Sequence, residues 1–275
     1  MLLFPNCKIN LGLNITRKRE DGYHDLETVF YPLPLKDALE AIRVGTETAT
    51  AGVLFSSSGL TVAGDTNDNL CIKAYQLLKK DIPSLPPVQM HLHKAIPMGA
   101  GLGGGSADGA FALLLLDQLF HLQLSREKLL QYALQLGSDC PFFINNKPCF
   151  ASGRGEIMEE IKLNLSAFQF VLINPGIHVS TAQAFSRIVP AKPSVSAKEI
   201  AQLPITEWKH SLTNDFETTV GEAFPDILEI KQELYQKGAL YAAMTGSGSS
   251  VYGLFPKNAK PALTIKSTWQ VYYTK

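Results

Sequence analysis

Five of the seven residues from Gly99 to Gly105 are glycine, in the stretch Pro97-Met98-Gly99-Ala100-Gly101-Leu102-Gly103-Gly104-Gly105-Ser106. Glycine at this density lets the backbone take positive φ and come close to a ligand. The stretch runs directly into Ser106 to Phe120, which reads as a helix apolar on most sides and therefore buried. The first N–H groups of such a helix and its dipole favour an anion. A merely flexible linker has no reason to run into a long buried helix, so the segment reads as a phosphate cradle. It is not a P-loop, because Gly105 is followed by Ser106-Ala107 and not by Lys and Ser/Thr. Gly99, Gly101 and Gly104 fit G-x-G-x-x-G, but a dinucleotide fold needs a second strand with an acidic residue after the helix. Here a second helix follows, capped by Ser125 and ended by Gly137.

Around this loop the pattern mixes strands and helices. Residues 7–16 alternate, with Cys7, Ile9, Leu11, Leu13 and Ile15 on one face and Lys8, Asn10, Gly12, Asn14 and Thr16 on the other. Asp21-Gly22 is a turn signal, and Tyr23 to Phe30 returns as a second strand that Pro32 and Pro34 should end. Residues 39–44 and 53–55 read as short strands separated by a Thr/Ala/Gly-rich loop. Asn67 or Asp68 can cap a helix carrying Leu70, Ala74, Leu77 and Leu78, and Val88, Met90 and Leu92 alternate as a strand. Phe168 to Ile173 is a buried strand, and helical patterns follow near 181–188, 197–202, 214–220 and 225–237. A second glycine cluster, Thr245 to Ser250, lies between strand-like segments. Without strict βαβ alternation, an α+β fold is expected, with a domain boundary near 150–165.

The chain has 275 residues, 25 basic and 25 acidic, and a net charge of zero. That balance argues against a general nucleic-acid binder, which must neutralise many phosphates. The longest apolar run, Ala110 to Leu116, is far short of a membrane span. The opening Met1-Leu2-Leu3-Phe4-Pro5 is too short for a signal peptide. The four cysteines form no C-x-x-C pair and read as reduced small hydrophobes. A cytoplasmic protein is expected. His91, His93 and His210 have no partner at metal spacing and read as structural.

The phosphate loop resembles that of the GHMP kinases, whose pattern P-x-x-x-G-L-G-S/G-S/G-S/A is matched from Pro97 to Ala107. The resemblance extends over residues 5 to 255. Lys8-Ile9-Asn10-Leu11 and Arg19-Glu20-Asp21-Gly22-Tyr23-His24 are similar to the start of the branch whose acceptor is 4-CDP-2-C-methyl-D-erythritol. Gly137-Ser138-Asp139-Cys140-Pro141-Phe142, Gly153-Arg154-Gly155-Glu156, Asn174-Pro175-Gly176, Leu212 to Glu217 and Met244 to Gly248 follow in that branch's order. The resemblance implies a two-domain α+β fold, residues 1–160 and 161–275, with the active site in the cleft between the domains. It implies transfer of the γ-phosphoryl of ATP to the 2-hydroxyl of that small-molecule acceptor, in the non-mevalonate route to isoprenoid precursors.

The resemblance also implies residue roles. A lone strand Lys is ordinarily solvated and an Asp before Cys140-Pro141 ordinarily caps or turns, but the match makes Lys8 a catalytic cation and Asp139 the general base. A close Lys8 would hold Asp139 ionised and polarise the hydroxyl between them. Pro97, Met98, Gly99, Ala100, Gly101, Leu102, Gly103, Gly104, Gly105, Ser106 and Ala107 would cradle the ATP phosphates, with Asn69, Leu70 and the stem of Lys94 beside the adenosine. Asn10, Tyr23, His24, Thr181 and Phe185 would bind the acceptor, Tyr23 and Phe185 stacking on cytosine and His24 reading its edge. Magnesium would arrive with ATP, its protein ligands unassigned. The chain departs from the family at Ala107, where the family usually has Ser, so one hydroxyl is missing there.

Overall fold

In the computed structural model, which describes residues 1–45, 52–62 and 64–274, the elements in chain order are as follows. Strands β1 (Leu2–Leu3), β2 (Asn6–Lys18), β3 (His24–Lys36), β4 (Ala38–Arg43) and β5 (Val53–Gly59) precede helix α1 (Leu70–Asp81). Strand β6 (Val88–Lys94) leads into α2 (Gly104–Phe120), α3 (Arg126–Leu136) and α4 (Cys140–Asn145). Strands β7 (Cys149–Ser152), β8 (Ile157–Glu160) and β9 (Phe168–Asn174) follow, then helices α5 (Thr181–Phe185), α6 (Ala197–Ile200), α7 (Trp208–Ser211), α8 (Phe216–Ala223) and α9 (Pro225–Gln236). Strands β10 (Tyr241–Met244), β11 (Val251–Pro256) and β12 (Gln270–Thr274) end the chain. The Thr/Ala/Gly-rich loop falls mostly on residues 46–51, outside the described residues.

The chain divides into two compact units of interleaved segments. The first comprises Met1–Cys7, Leu35–Met98 and Gly103–Lys147; the second comprises Lys8–Pro34, Gly99–Leu102 and Pro148–Lys275. This differs from a single boundary near residue 160. The physical reason is long-range packing: Leu13 and Ile15 of β2 share one core with Val171, Ile173 and Phe216, Leu13 bridges Asn214, and β3 pairs with β7, so residues 8–34 fold with the segment from 148 onward.

The first unit is a four-stranded sheet, order β1-β4-β6-β5, with helices α1 to α4. Its β5–β6 pair is parallel and the rest antiparallel. The alternation in β6 is obeyed, Val88, Met90 and Leu92 being fully buried. Helix α1 is capped by Asn69, whose side chain accepts from the Cys71 N–H at 2.9 Å, rather than by Asn67 or Asp68. Those two residues fall in a short 3₁₀ turn capped by Asp65. Ser125 and Gly137 bound α3 as expected.

The second unit holds two four-stranded sheets, order β2-β3-β7-β8 and order β10-β11-β9-β12, the latter antiparallel throughout. Its core gathers Leu13, Ile15, Val171, Ile173, Phe216, Val220, Ile227, Ile230 and Met244. Pro32 and Pro34 do not end β3, which continues to Lys36. The ladder to β7 covers only Thr28–Phe30, so both prolines lie beyond it, where a missing N–H is tolerated. The polar face of β2 is not a solvent face: Lys8 and Asn10 are as buried as their apolar neighbours.

Candidate active site

In the first unit, Gly103 stands at the N-cap of α2 with φ 69° and makes no side-chain cap. The first helical N–H groups are thus left for an anion. Gly104 is required here by space: a Cβ would meet Ile96 Cγ2 at 2.9 Å and the Lys94 ammonium at 3.4 Å. That ammonium belongs to a buried triad beneath the helix start. Lys94 Nζ donates to Asp37 Oδ2 at 2.5 Å and to Asp108 Oδ2 at 2.7 Å. Asp37 also accepts from the Ala95 and Ile96 N–H groups at 2.6 and 2.9 Å, fixing the chain just before Pro97. Burial opposes the Lys94 charge, but Asp108 and Asp37 outweigh it and its pKa is raised. Burial pushes the Asp108 carboxyl up to about 8, against the pull of Lys94 and with the push of Asp37. The second Asp108 oxygen, Oδ1, is buried without a hydrogen-bond partner. One ammonium thus faces two carboxylates, and burial favours the neutral form of Asp108.

The same unit sets Asp139 close to the cradle. It stands at the N-cap of α4 and its side chain makes no cap hydrogen bond. The next residue, Cys140, is hydrogen-bonded to Ser106, and burial pushes its thiol up to about 12 against that bond. A half-buried carboxylate thus neighbours the first turn of α2. Ala107 is fully buried, so the hydroxyl missing there would face the interior. Lys94 does not offer its stem to a nucleoside, since its side chain is 0% exposed and its ammonium is committed to the triad. Asn69 and Leu70 remain half-buried at the start of α1.

In the second unit, Lys8 Nζ donates to Asn10 Oδ1 at 2.6 Å and lies 4.7 Å from the Phe30 ring centre. Residues 99–102 of the glycine loop pack with this unit, the Lys8 N–H donating to the Leu102 carbonyl at 3.0 Å and the Ser250 N–H to the Ala100 carbonyl at 3.2 Å. Gly101, with φ +77°, admits no side chain: a Cβ would fall inside the Thr245 carbonyl. The second glycine cluster is therefore part of the loop's support. Asn214 Nδ2 holds that cluster by donating to the Met244 and Gly246 carbonyls, both at 2.9 Å.

The residues implied for cytosine are partly rearranged. His24 stacks on Phe185, ring centres 4.7 Å apart, while Phe185 meets Phe216 edge-on at 4.8 Å. Tyr23, 56% exposed, faces the Arg154 guanidinium at 4.4 Å instead of Phe185. Thr181 is exposed at the start of α5. The amide of Asn10 is turned to Lys8 and Thr28, not outward. His91 is structural as expected, bonded to Ser56 and Ser58.

Sequence reasoning missed Asp37, Asp108, Thr28 and Thr245. Asp108 carried a signal, a lone acid at the head of the apolar stretch Ala107 to Leu116. Thr245 carried one too, since it opens the second glycine cluster; Asp37 and Thr28 carried none. Among the described residues, no group of three His, Cys, Asp or Glu side chains is arranged to hold a metal, and no helix is long and apolar enough to cross a membrane.

Comparison with known proteins places the chain in a family. Residues 69–147 match the GHMP kinases N terminal domain and residues 196–270 the GHMP kinases C terminal domain. The chain is 56% identical over 260 residues to a 4-diphosphocytidyl-2-C-methyl-D-erythritol kinase of Bacteroides fragilis, covering 94% of each. It is 53% identical to the protein of that name from Bacteroides thetaiotaomicron, covering 95% of this chain and 94% of that one. A crystal structure of 4-(cytidine 5'-diphospho)-2C-methyl-D-erythritol kinase superposes with a TM-score of 0.80 at 31% identity, covering 92% of this chain and 90% of that one.

Proposed function

The chain belongs to the GHMP kinases, in the group of the 4-diphosphocytidyl-2-C-methyl-D-erythritol kinases, and on that premise we propose that it moves the γ-phosphoryl of ATP to the 2-hydroxyl of 4-CDP-2-C-methyl-D-erythritol. The observation that carries the reading is the juxtaposition within the first unit of the α2 N-terminus and Asp139, linked through Ser106 and Cys140. An anion cradle beside a carboxylate is what phosphoryl transfer to a hydroxyl requires, since positioning and charge stabilisation dominate that reaction. In this reading the N–H groups of Gly104, Gly105 and Ser106 receive phosphate oxygens. Asp139 takes the proton of the 2-hydroxyl, and Lys8 supplies positive charge to the transferring group. Magnesium comes as the counter-ion of the nucleotide and neutralises phosphate charge when bound.

The cytidine end serves orientation. Tyr23 offers an exposed face for stacking, and a base that uses the Phe185 face must take the place of the His24 ring. Binding energy gathered there can hold the small polyol end in line with the phosphate. The protein works, in this reading, in the cytoplasm on a step of the non-mevalonate route to isoprenoid precursors; its four free cysteines suit a reducing compartment. The test is ADP release from ATP with 4-CDP-2-C-methyl-D-erythritol, mevalonate or homoserine as acceptor. Turnover with the first alone is expected. Turnover with only one of the other two would overturn the assignment in favour of another GHMP small-molecule kinase.

A further inference from the structure

The second unit contains a one-way chain of hydrogen bonds that starts at Lys8. An ammonium can only donate, so the Asn10 oxygen must face it, and Lys8 Nζ to Asn10 Oδ1 is 2.6 Å. The Asn10 amide nitrogen then faces Thr28 Oγ1 at 3.0 Å. Having accepted that bond, the Thr28 hydroxyl gives its single proton to the Gly12 carbonyl at 2.5 Å. Lys8, Asn10 and Thr28 are 4%, 3% and 0% exposed, so water does not stand in for a lost member. The backbone N–H of Asn10 is held separately, donating to Thr245 Oγ1 at 3.0 Å, and Thr245 donates in turn to the Gly101 carbonyl at 3.0 Å.

An asparagine amide has two orientations, nearly equal in shape and opposite in polarity. In the wrong one, an N–H₂ group would confront the ammonium. The ammonium, and the Thr245 hydroxyl 3.4 Å from the same oxygen, favour the right one from the oxygen side; Thr28 is the partner that accepts from the amide nitrogen and holds the amide from the other side. We propose that Thr28 is a positioning residue for Lys8: its hydroxyl fixes the amide of Asn10 so that the oxygen anchors the ammonium. This rests on the reading of Lys8 as the catalytic cation. It makes Asn10 a holder of Lys8 rather than a contact of the acceptor.

Thr28→Val keeps the shape and removes the hydroxyl; Thr28→Ser keeps the hydroxyl. For Thr28→Val, kcat is expected to fall roughly tenfold to a hundredfold, in line with the loss from misplacing a group that acts at the reacting atoms, while KM for ATP stays near wild type. Thr28→Ser is expected to restore kcat. Should Thr28→Val fail to fold, Thr28→Ala removes the same hydroxyl and carries the same expectation. A second readout needs no turnover: the Asn10 side-chain amide protons, assigned by their loss in Asn10→Ala, are expected to exchange slowly in wild type and Thr28→Ser and fast in the variants without the hydroxyl. Wild-type kcat in Thr28→Val, equal impairment in Thr28→Ser, or equally slow exchange without the hydroxyl would each overturn the proposal. Failure of the wild type to phosphorylate 4-CDP-2-C-methyl-D-erythritol would instead overturn the functional reading, and the exchange comparison still decides the role of Thr28.

Discussion

Replacing Lys94 by Met keeps most of the side-chain volume and removes the ammonium from between Asp37 and Asp108. Both ion pairs are buried, at 2.5 and 2.7 Å with the lysine side chain 0% exposed. Removing one partner of a buried pair costs about 3–5 kcal/mol, because the other charge is left uncompensated. Two features pull the figure toward the lower end. Asp37 keeps the Ala95 and Ile96 N–H groups, and Asp108, already raised to about 8 by burial, can stay protonated. At roughly 2–4 °C per kcal/mol for a chain of this size, a cost of about 3 kcal/mol lowers the melting temperature by about 6–12 °C. Because the ammonium sits beneath Gly104, KM for ATP should rise as well. Asp108→Asn is the counter-test. A folded-state pKa raised above the unfolded value contributes stability that is present below the unfolded pKa and lost as pH rises through the folded one. The wild type should therefore lose stability relative to Asp108→Asn between about pH 4 and pH 8, and the melting-temperature gap should widen in favour of the variant. Thermal melts followed by circular dichroism at several pH values measure both effects. A Lys94→Met protein melting within about 2 °C of wild type, or a gap independent of pH, would refute the reasoning.

Other expectations concern the chemistry and the loop. Asp139→Asn keeps shape and removes the proton acceptor, so kcat should fall by roughly 10²–10⁴ with substrate affinity little changed; a near-normal kcat assigns the base elsewhere. Gly101→Ala must displace the Thr245 carbonyl and strain a residue at φ +77°, so nucleotide binding measured by calorimetry should be lost, and wild-type affinity would show that the loop has another resting place. Tyr23→Ala should weaken CDP and UDP acceptors alike, by roughly 1–3 kcal/mol of stacking, whereas His24→Ala should narrow the preference for cytidine over uridine in kcat/KM. The reverse pattern would exchange the stacking and reading roles.

The glycine loop and its helix were legible in the sequence because they obey local rules. Glycine density marks a backbone that needs positive φ, and Gly99, Gly101 and Gly103 adopt it. The period of two in β2 and β6 and the Ser125 and Gly137 signals around α3 were legible for the same reason, each being set by neighbours within a turn or two. Lys8 and Asp139 were singled out by resemblance, not by their local pattern. Tertiary structure alone decided what those side chains meet. Asp37 and Asp108 are 57 and 14 residues from Lys94, and Thr245 is 235 residues from Asn10. Nothing in a strand's alternation says that its polar face will be covered by a turn from the far end of the chain. Once covered, a lysine there must find a built partner, because a buried charge is stable only when paired and hydrogen-bonded. Local glycine chemistry determined a backbone that takes positive φ at the start of α2, and long-range packing decided which buried polar groups hold that backbone in place.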